Sequence, residues 1–248
     1  MMRSKLLVCL LSCFLFSGAA LADAKPSADE MAVKKAVQKR FPDIDLDSLT
    51  KTRYDGLYEA VMGGSQVFYT DKSASYILVG NLIDAKTQRN LTEERVRELT
   101  RVKFDSLPLE SAIKQVKGSG SRKLAVFSDP DCPYCKKLDA ELLKVTDVTI
   151  YTFFYPIASL HPQAVDKVKA VWCATDRVKA WEDLVQKGSV PQTGTKCDTT
   201  PLAKVAELGA KLKVNGTPTI IFADGFRVPG MVPAAQLERL LNGERSQH

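Results

Sequence analysis

The sequence predicts an α+β chain in two parts: a small N-terminal sheet, and a larger C-terminal domain with a helical insertion, joined by a charged helix. Three observations carry this reading. Short β-like runs separated by turn signals fill residues 49–79, a densely charged helical stretch follows at 92–104, and strand, helix and strand then succeed one another from Leu124.

The first 22 residues read as a secretory signal peptide. Arg3 and Lys5 supply the charged start, residues 6–16 the apolar core, and Ala20-Leu21-Ala22 the cleavage pattern. No later stretch is long and apolar enough to cross a bilayer, so a soluble exported protein is expected. Ser27-Ala28-Asp29-Glu30 is a capping box opening a helix with Val33, Val37 and Phe41 on one face, and Pro42 ends it. Strands are expected at 49–54, 57–62, 66–70 and 76–79, with turns at Gly63-Gly64-Ser65 and Asp71-Lys72-Ser73. So small a meander builds little core by itself. Pairing with a second copy and packing on its own chain both remain open. Residues 92–104 place Val96, Leu99 and Val102 or Lys103 at helical spacing among charged residues, which suits a mostly solvated connector.

The larger domain begins with a strand at 112–116, the turn Gly118-Ser119-Gly120-Ser121, and the apolar run Leu124-Ala125-Val126-Phe127. A helix at 136–145 and a strand at 148–155 then make a right-handed βαβ unit with a parallel pair. Residues 162–212 read as helical with breaks at Thr175, 188–198 and Pro201, and Trp172 and Trp181 are expected to pack within this insertion. A strand at 214–222, the turn Asp224-Gly225 and residues 226–228 form a hairpin. The last helix follows Pro233, with Leu237, Leu240 and Leu241 on one side.

Lys and Arg number 35 against 29 Asp and Glu, a net charge of +6 spread along the chain. That balance fits solubility and argues against nucleic-acid binding. Of six cysteines, Cys9 and Cys13 lie in the signal, and the even remainder is consistent with disulfides in an exported chain.

The chemistry concentrates at Ser128-Asp129-Pro130-Asp131-Cys132-Pro133-Tyr134-Cys135. A cysteine where a strand runs into a helix N-terminus meets unpaired N–H groups and the positive end of the dipole, which favour a thiolate nucleophile. A second cysteine almost one turn on is placed to attack a mixed disulfide formed by the first. Pro133 stands where a helix tolerates proline. Half of a zinc site shares this spacing, but two more ligands are needed and only His161 and His248 join the distant Cys173 and Cys197. Redox chemistry without metal or cofactor leads. Asp129 and Asp131 are expected to form the turn and cap the helix, and His161, in a loop before a helix, to cap or lie at the surface.

The order strand, CxxC helix, strand, helical insertion and hairpin after Gly216-Thr217-Pro218 is that of a thioredoxin-like domain. The segment 127–138, Gly216-Thr217-Pro218-Thr219, and Asp224-Gly225 with Val228-Pro229-Gly230 narrow the likeness. The chain resembles the DsbC family of bacterial periplasmic thiol–disulfide isomerases. The resemblance implies a V-shaped periplasmic homodimer with an uncharged cleft, misfolded disulfide-containing proteins as substrates, and a DsbD-type membrane reductase as partner. It implies residues 1–22 as signal, 23–90 as dimerisation domain, 91–107 as linker helix and 108–248 as catalytic domain. Cys132 would attack and Cys135 resolve, with Pro133, Tyr134, Thr217 and Pro218 facing substrate, and a cis bond before Pro218 turning the Thr217 main chain toward an extended peptide. Cys173 and Cys197 resemble the family's structural disulfide. One departure is Pro133-Tyr134, where many members carry Gly-Tyr and the sister protein DsbG carries Pro-Tyr. Reduction of sulfenic acids, a monomeric oxidant and a chaperone-like binding dimer are the competing activities.

Overall fold

The computed structural model describes residues 25–192 and 197–245. The expected signal peptide lies outside the described residues.

Ser27 caps helix α1 (Ala28–Arg40), its hydroxyl accepting from the Glu30 N–H while a Glu30 carboxylate oxygen accepts from the Ser27 N–H. Val33 and Val37 pack on Leu46, Leu49, Tyr58 and Phe68 from an antiparallel sheet. Its strands are β1 (Leu46–Lys51), β2 (Tyr58–Met62), β3 (Gln66–Thr70) and β4 (Ile77–Leu78), paired in that order. The first strand starts three residues before its expected position. The Thr52 hydroxyl donates to the Leu57 carbonyl and closes a turn where the strand was expected to continue. A register irregularity between Leu46 and Ser48 lets both Leu46 and Leu49 reach the core.

Helix α2 (Leu91–Leu99) is shorter and less solvated than its charges imply. Thr92 hydrogen-bonds Tyr69 at 2.5 Å and Arg95 pairs with Glu59 at 2.8 Å, while Val96 and Leu99 cover Val61 and Val67. Val102 does not continue the helical stripe. Its N–H donates to the Gly225 carbonyl at 3.1 Å, and its side chain enters the core of the C-terminal domain with Phe104 and Leu107. Gly225 has φ +85°, and a Cβ there would lie 2.3 Å from the Val102 carbonyl oxygen.

The second sheet contains β5 (Ile113–Lys117), β6 (Arg122–Ser128), β7 (Val148–Phe154), β8 (Thr219–Phe222) and β9 (Arg227–Pro229), in the order β5-β7-β6-β8-β9. Among the described residues only β6 and β7 run parallel, joined by helix α3 (Pro133–Leu142). Strand alternation fills both faces. Leu124, Val126, Ile150, Ile220 and Phe222 meet Leu138 and Leu142 of α3 and Leu237 and Leu240 of the last helix, α7 (Ala234–Leu241). On the opposite face, Ala125, Phe127, Tyr151, Phe153 and Ile221 meet Val205.

The insertion is helical: α4 (Ala164–Trp172), α5 (Arg177–Lys187) and α6 (Thr200–Lys211). Trp172 and Trp181 do not pack only within it. Both lie against Phe154 of β7, Trp181 with ring centroids 4.9 Å apart, so the insertion is seated on the sheet. Cys173 and Cys197 form a disulfide, with Cα atoms 5.6 Å apart. Gly209 of α6 admits the Tyr155 ring, since a Cβ would sit 2.1 Å from it. The strand expected from residue 214 begins only at Thr219, because residues 215–218 form the loop that completes the site.

Candidate active site

Strand β6 is buried along its last five residues and ends by delivering Ser128 and Asp129 beneath a tight turn. Cys132 is the N-cap of α3 with extended backbone and no side-chain cap, and Pro133 follows at the first turn. Cys132 as a residue is 7% exposed, and its thiol donates to the Thr217 carbonyl at 3.3 Å. Both cysteines are free thiols. Cys135, one turn deeper, is fully buried, and its Sγ accepts from the Asp129 N–H at 3.3 Å. Burial pushes the Cys135 thiol up to about 12. Both cysteines are therefore buried, Cys132 just under the surface at the helix start and Cys135 held as a thiol behind it.

The loop before β8 supplies the facing wall. The Thr217–Pro218 bond is cis, Pro218 is buried, and Thr217 is half-buried beside Cys132. Pro133 and Tyr134 lie on the exposed rim, Tyr134 at 60% exposure with the Lys137 ammonium 5.5 Å from its ring centroid. Cys173 and Cys197 stand apart from this cluster, in the insertion.

The two aspartates form the expected turn, the Asp129 carbonyl accepting from the Cys132 N–H at 3.2 Å, but depart from expectation at the helix. Neither caps α3. The Asp129 carboxylate is fully buried and accepts from the Asp131 N–H at 2.9 Å, the Ile157 N–H at 2.8 Å and the His161 ring at Nδ1, 2.9 Å away. A buried carboxylate needs such a full set of partners. Asp131 is paired with Lys167 of α4 at 2.7 Å. His161 is therefore a part of the site that sequence reasoning set aside. It ties the loop after β7 to the residue whose main chain holds Cys135.

Farther along α3, Asp139 accepts from the Trp181 indole at 3.2 Å, and burial raises its carboxyl to about 7. Lys117 donates to the Leu142 and Leu143 carbonyls at 2.6 and 2.8 Å, answering the open C-terminus of the same helix.

Comparison with known proteins agrees with this geometry. Residues 109–243 match the family described as a thioredoxin-like domain, and residues 21–93 match the disulfide bond isomerase protein N-terminal domain. The chain is 45% identical over 216 residues to the probable thiol:disulfide interchange protein DsbC of Bordetella parapertussis, spanning 87% of this chain and 75% of that protein. The chain belongs to the DsbC family. The DsbC of Escherichia coli K12 is 26% identical over 232 residues, 92% of this chain and 94% of its own. The crystal structure of a disulfide interchange protein from Neisseria gonorrhoeae is 47% identical and aligns over 56% of this chain and all of its own, with a TM-score of 0.53. As a DsbC-family protein, the chain is a thiol–disulfide oxidoreductase of the isomerase type with a thioredoxin-like domain.

Proposed function

We propose that this protein is a periplasmic homodimer that reshuffles incorrect disulfides in exported proteins, with Cys132 as nucleophile and Cys135 as the resolving thiol. The observation that carries the reading is the asymmetry of the two sulfurs: Cys132 at the helix N-terminus against Thr217, and Cys135 buried and held up to about 12.

The Cys132 thiolate attacks one sulfur of a substrate disulfide, forming a mixed disulfide and expelling the other sulfur as thiolate. That thiolate attacks a second substrate disulfide, and the chain of exchanges returns to displace Cys132 with no net electron transfer. When the substrate stalls, Cys135 attacks Cys132 and releases it reduced, leaving a Cys132–Cys135 disulfide for a DsbD-type membrane reductase to reduce. Pro133, Tyr134, Thr217 and Pro218 line the path of the substrate chain, the Thr217 main chain giving it backbone partners.

Residues 1–22 are assigned to the export signal, 23–90 to dimerisation, 91–107 to the linker and 108–248 to catalysis. Support for pairing of copies comes from the edge strand β4, beside which Val79 is 82% exposed and Tyr76 and Leu78 are each nearly half exposed. The experiment is refolding of a scrambled multi-disulfide substrate by the reduced protein, with sedimentation of the same sample. Recovery of native substrate by a dimer is the expected result. Failure of the reduced form, with ready oxidation of reduced substrate by the oxidised form, would replace the isomerase by an oxidant.

A further inference from the structure

An open groove of about 1020 Å³ runs between α2 and the β8–β9 hairpin and ends at Gly216-Thr217-Pro218. Its floor is apolar, built from Val96, Leu99, Phe226 and Val228. The Thr217 carbonyl touches the Cys132 thiol and Thr217 also lines the groove, so one end of the groove lies beside that sulfur.

The groove's charge is one-sided. Arg101, Lys211, Lys213 and Arg227 line it, and among the described residues none of the four pairs with a carboxylate. Arg97, also on the lining, is answered by Glu93 at 3.0 Å, the one acidic residue there. Arg227 donates only to the Leu212 and Lys213 carbonyls, and burial lowers its pKa. A partly desolvated cation without a counter-ion gains from an arriving carboxylate.

We propose that the groove binds an extended, acidic stretch of substrate adjoining the cysteine that Cys132 attacks. This rests on the exchange reading above and adds a substrate chemistry to it. The apolar floor accepts the stretch's apolar side chains, and the four cations meet its Asp and Glu residues. The covalent step is the same: the Cys132–substrate bond forms as the substrate's S–S bond breaks, and the electron pair leaves on the departing sulfur.

Two short peptides test this. Each carries one cysteine as a mixed disulfide with thionitrobenzoate, and they differ only in having Glu or Lys beside it. The rate of thionitrobenzoate release from each is measured with reduced protein at low salt. The wild type favours the Glu peptide by about tenfold, a preference that collapses as salt rises. In the Lys211→Glu/Lys213→Glu variant the ratio falls to about one or below. Taking the ratio within each variant cancels any general loss of reactivity. Lys72→Glu, in the turn after β3 and paired with Asp29, keeps the wild-type ratio. A wild-type ratio near one, a preference for Lys, or a ratio indifferent to the lysine reversals overturns the proposal. Wild-type reaction with uncharged hydroxyethyl disulfide separates the two levels: if it persists, only the groove reading falls, and if it is absent, the exchange reading falls with it.

Discussion

Cys132–Cys135 and Cys173–Cys197 are two cysteine pairs in one domain, found in opposite states. The first pair is three residues apart, free, and set at the start of α3 with one sulfur facing a loop from the other end of the domain. The second is 24 residues apart, bridged, and closes the helical insertion over the Trp172 and Trp181 cluster. Loop length accounts for much of the difference. Closing a long loop removes considerable freedom from the unfolded chain, so a bridge there stabilises the fold. A loop of two intervening residues removes little, which leaves the short pair free to change state without unfolding its surroundings. Surroundings complete the contrast: Cys132 caps the helix beside Thr217 while Cys135 is fully buried, the difference on which the proposed attacking and resolving roles rest.

Selective damage breaks the comparison. Cys132→Ser should reduce disulfide exchange to background while the melting temperature stays nearly unchanged, read by substrate reduction and by calorimetry on one sample. Cys173→Ala/Cys197→Ala should do the reverse, lowering the unfolding free energy by about 3–4 kcal/mol in denaturant titration while exchange at a permissive temperature survives. If exchange is lost in step with stability, the two pairs are not separable.

Two smaller changes probe the contacts that join the regions. Gly209 lies on the helix after Cys197, and Tyr155 packs edge-on against Phe127 of the strand leading to Cys132. Gly209→Ala forces a Cβ into that ring and should cost about 1–3 kcal/mol, with Tyr155→Leu in the same background recovering part of the loss. Asp139 on α3 meets Trp181 on α5. Its folded-state pKa of about 7 lies above the 3.8 of an ordinary aspartate, so the native state holds the proton more tightly than the unfolded one. Its contribution is fully favourable below pH 3.8, declines as pH rises toward about 7, and is lost above that. Asp139→Asn keeps the acceptor for Trp181 and should flatten this slope. The expected gain at pH 8 is on the order of 1 kcal/mol, discounted because Asp139 keeps some solvent access, and is measured by urea titration at several pH values.

The parts legible in the sequence were those with local causes. The CxxC turn is written in consecutive residues: an apolar strand, a proline at the helix start and two cysteines one turn apart. The capping box at Ser27 and Glu30 is equally local. What escaped depended on distant partners. Val102 has the spacing of a helical stripe, but its apolar side chain belongs to the next domain's core, so α2 stops at Leu99. The β1 boundary moved because a local irregularity changed which residues face inward. His161 carried no periodic signal, and only the fold brings it within 2.9 Å of Asp129, 32 residues earlier. The Thr217–Pro218 loop became meaningful through likeness to a family, since spacing alone gave no reason to set it against Cys132.

Because β8 lies beside β6, Cys132 meets Thr217 across 85 residues of chain. Synthesis from the N-terminus therefore releases the proposed nucleophile long before the strand that will shield it. For that interval, Cys132 and Cys135 emerge with no wall opposite them, and Cys173 then appears ahead of its own mate. The four cysteines that follow the proposed signal admit three fully paired arrangements. The sorting problem proposed for its substrates is one that this chain has to solve on itself first.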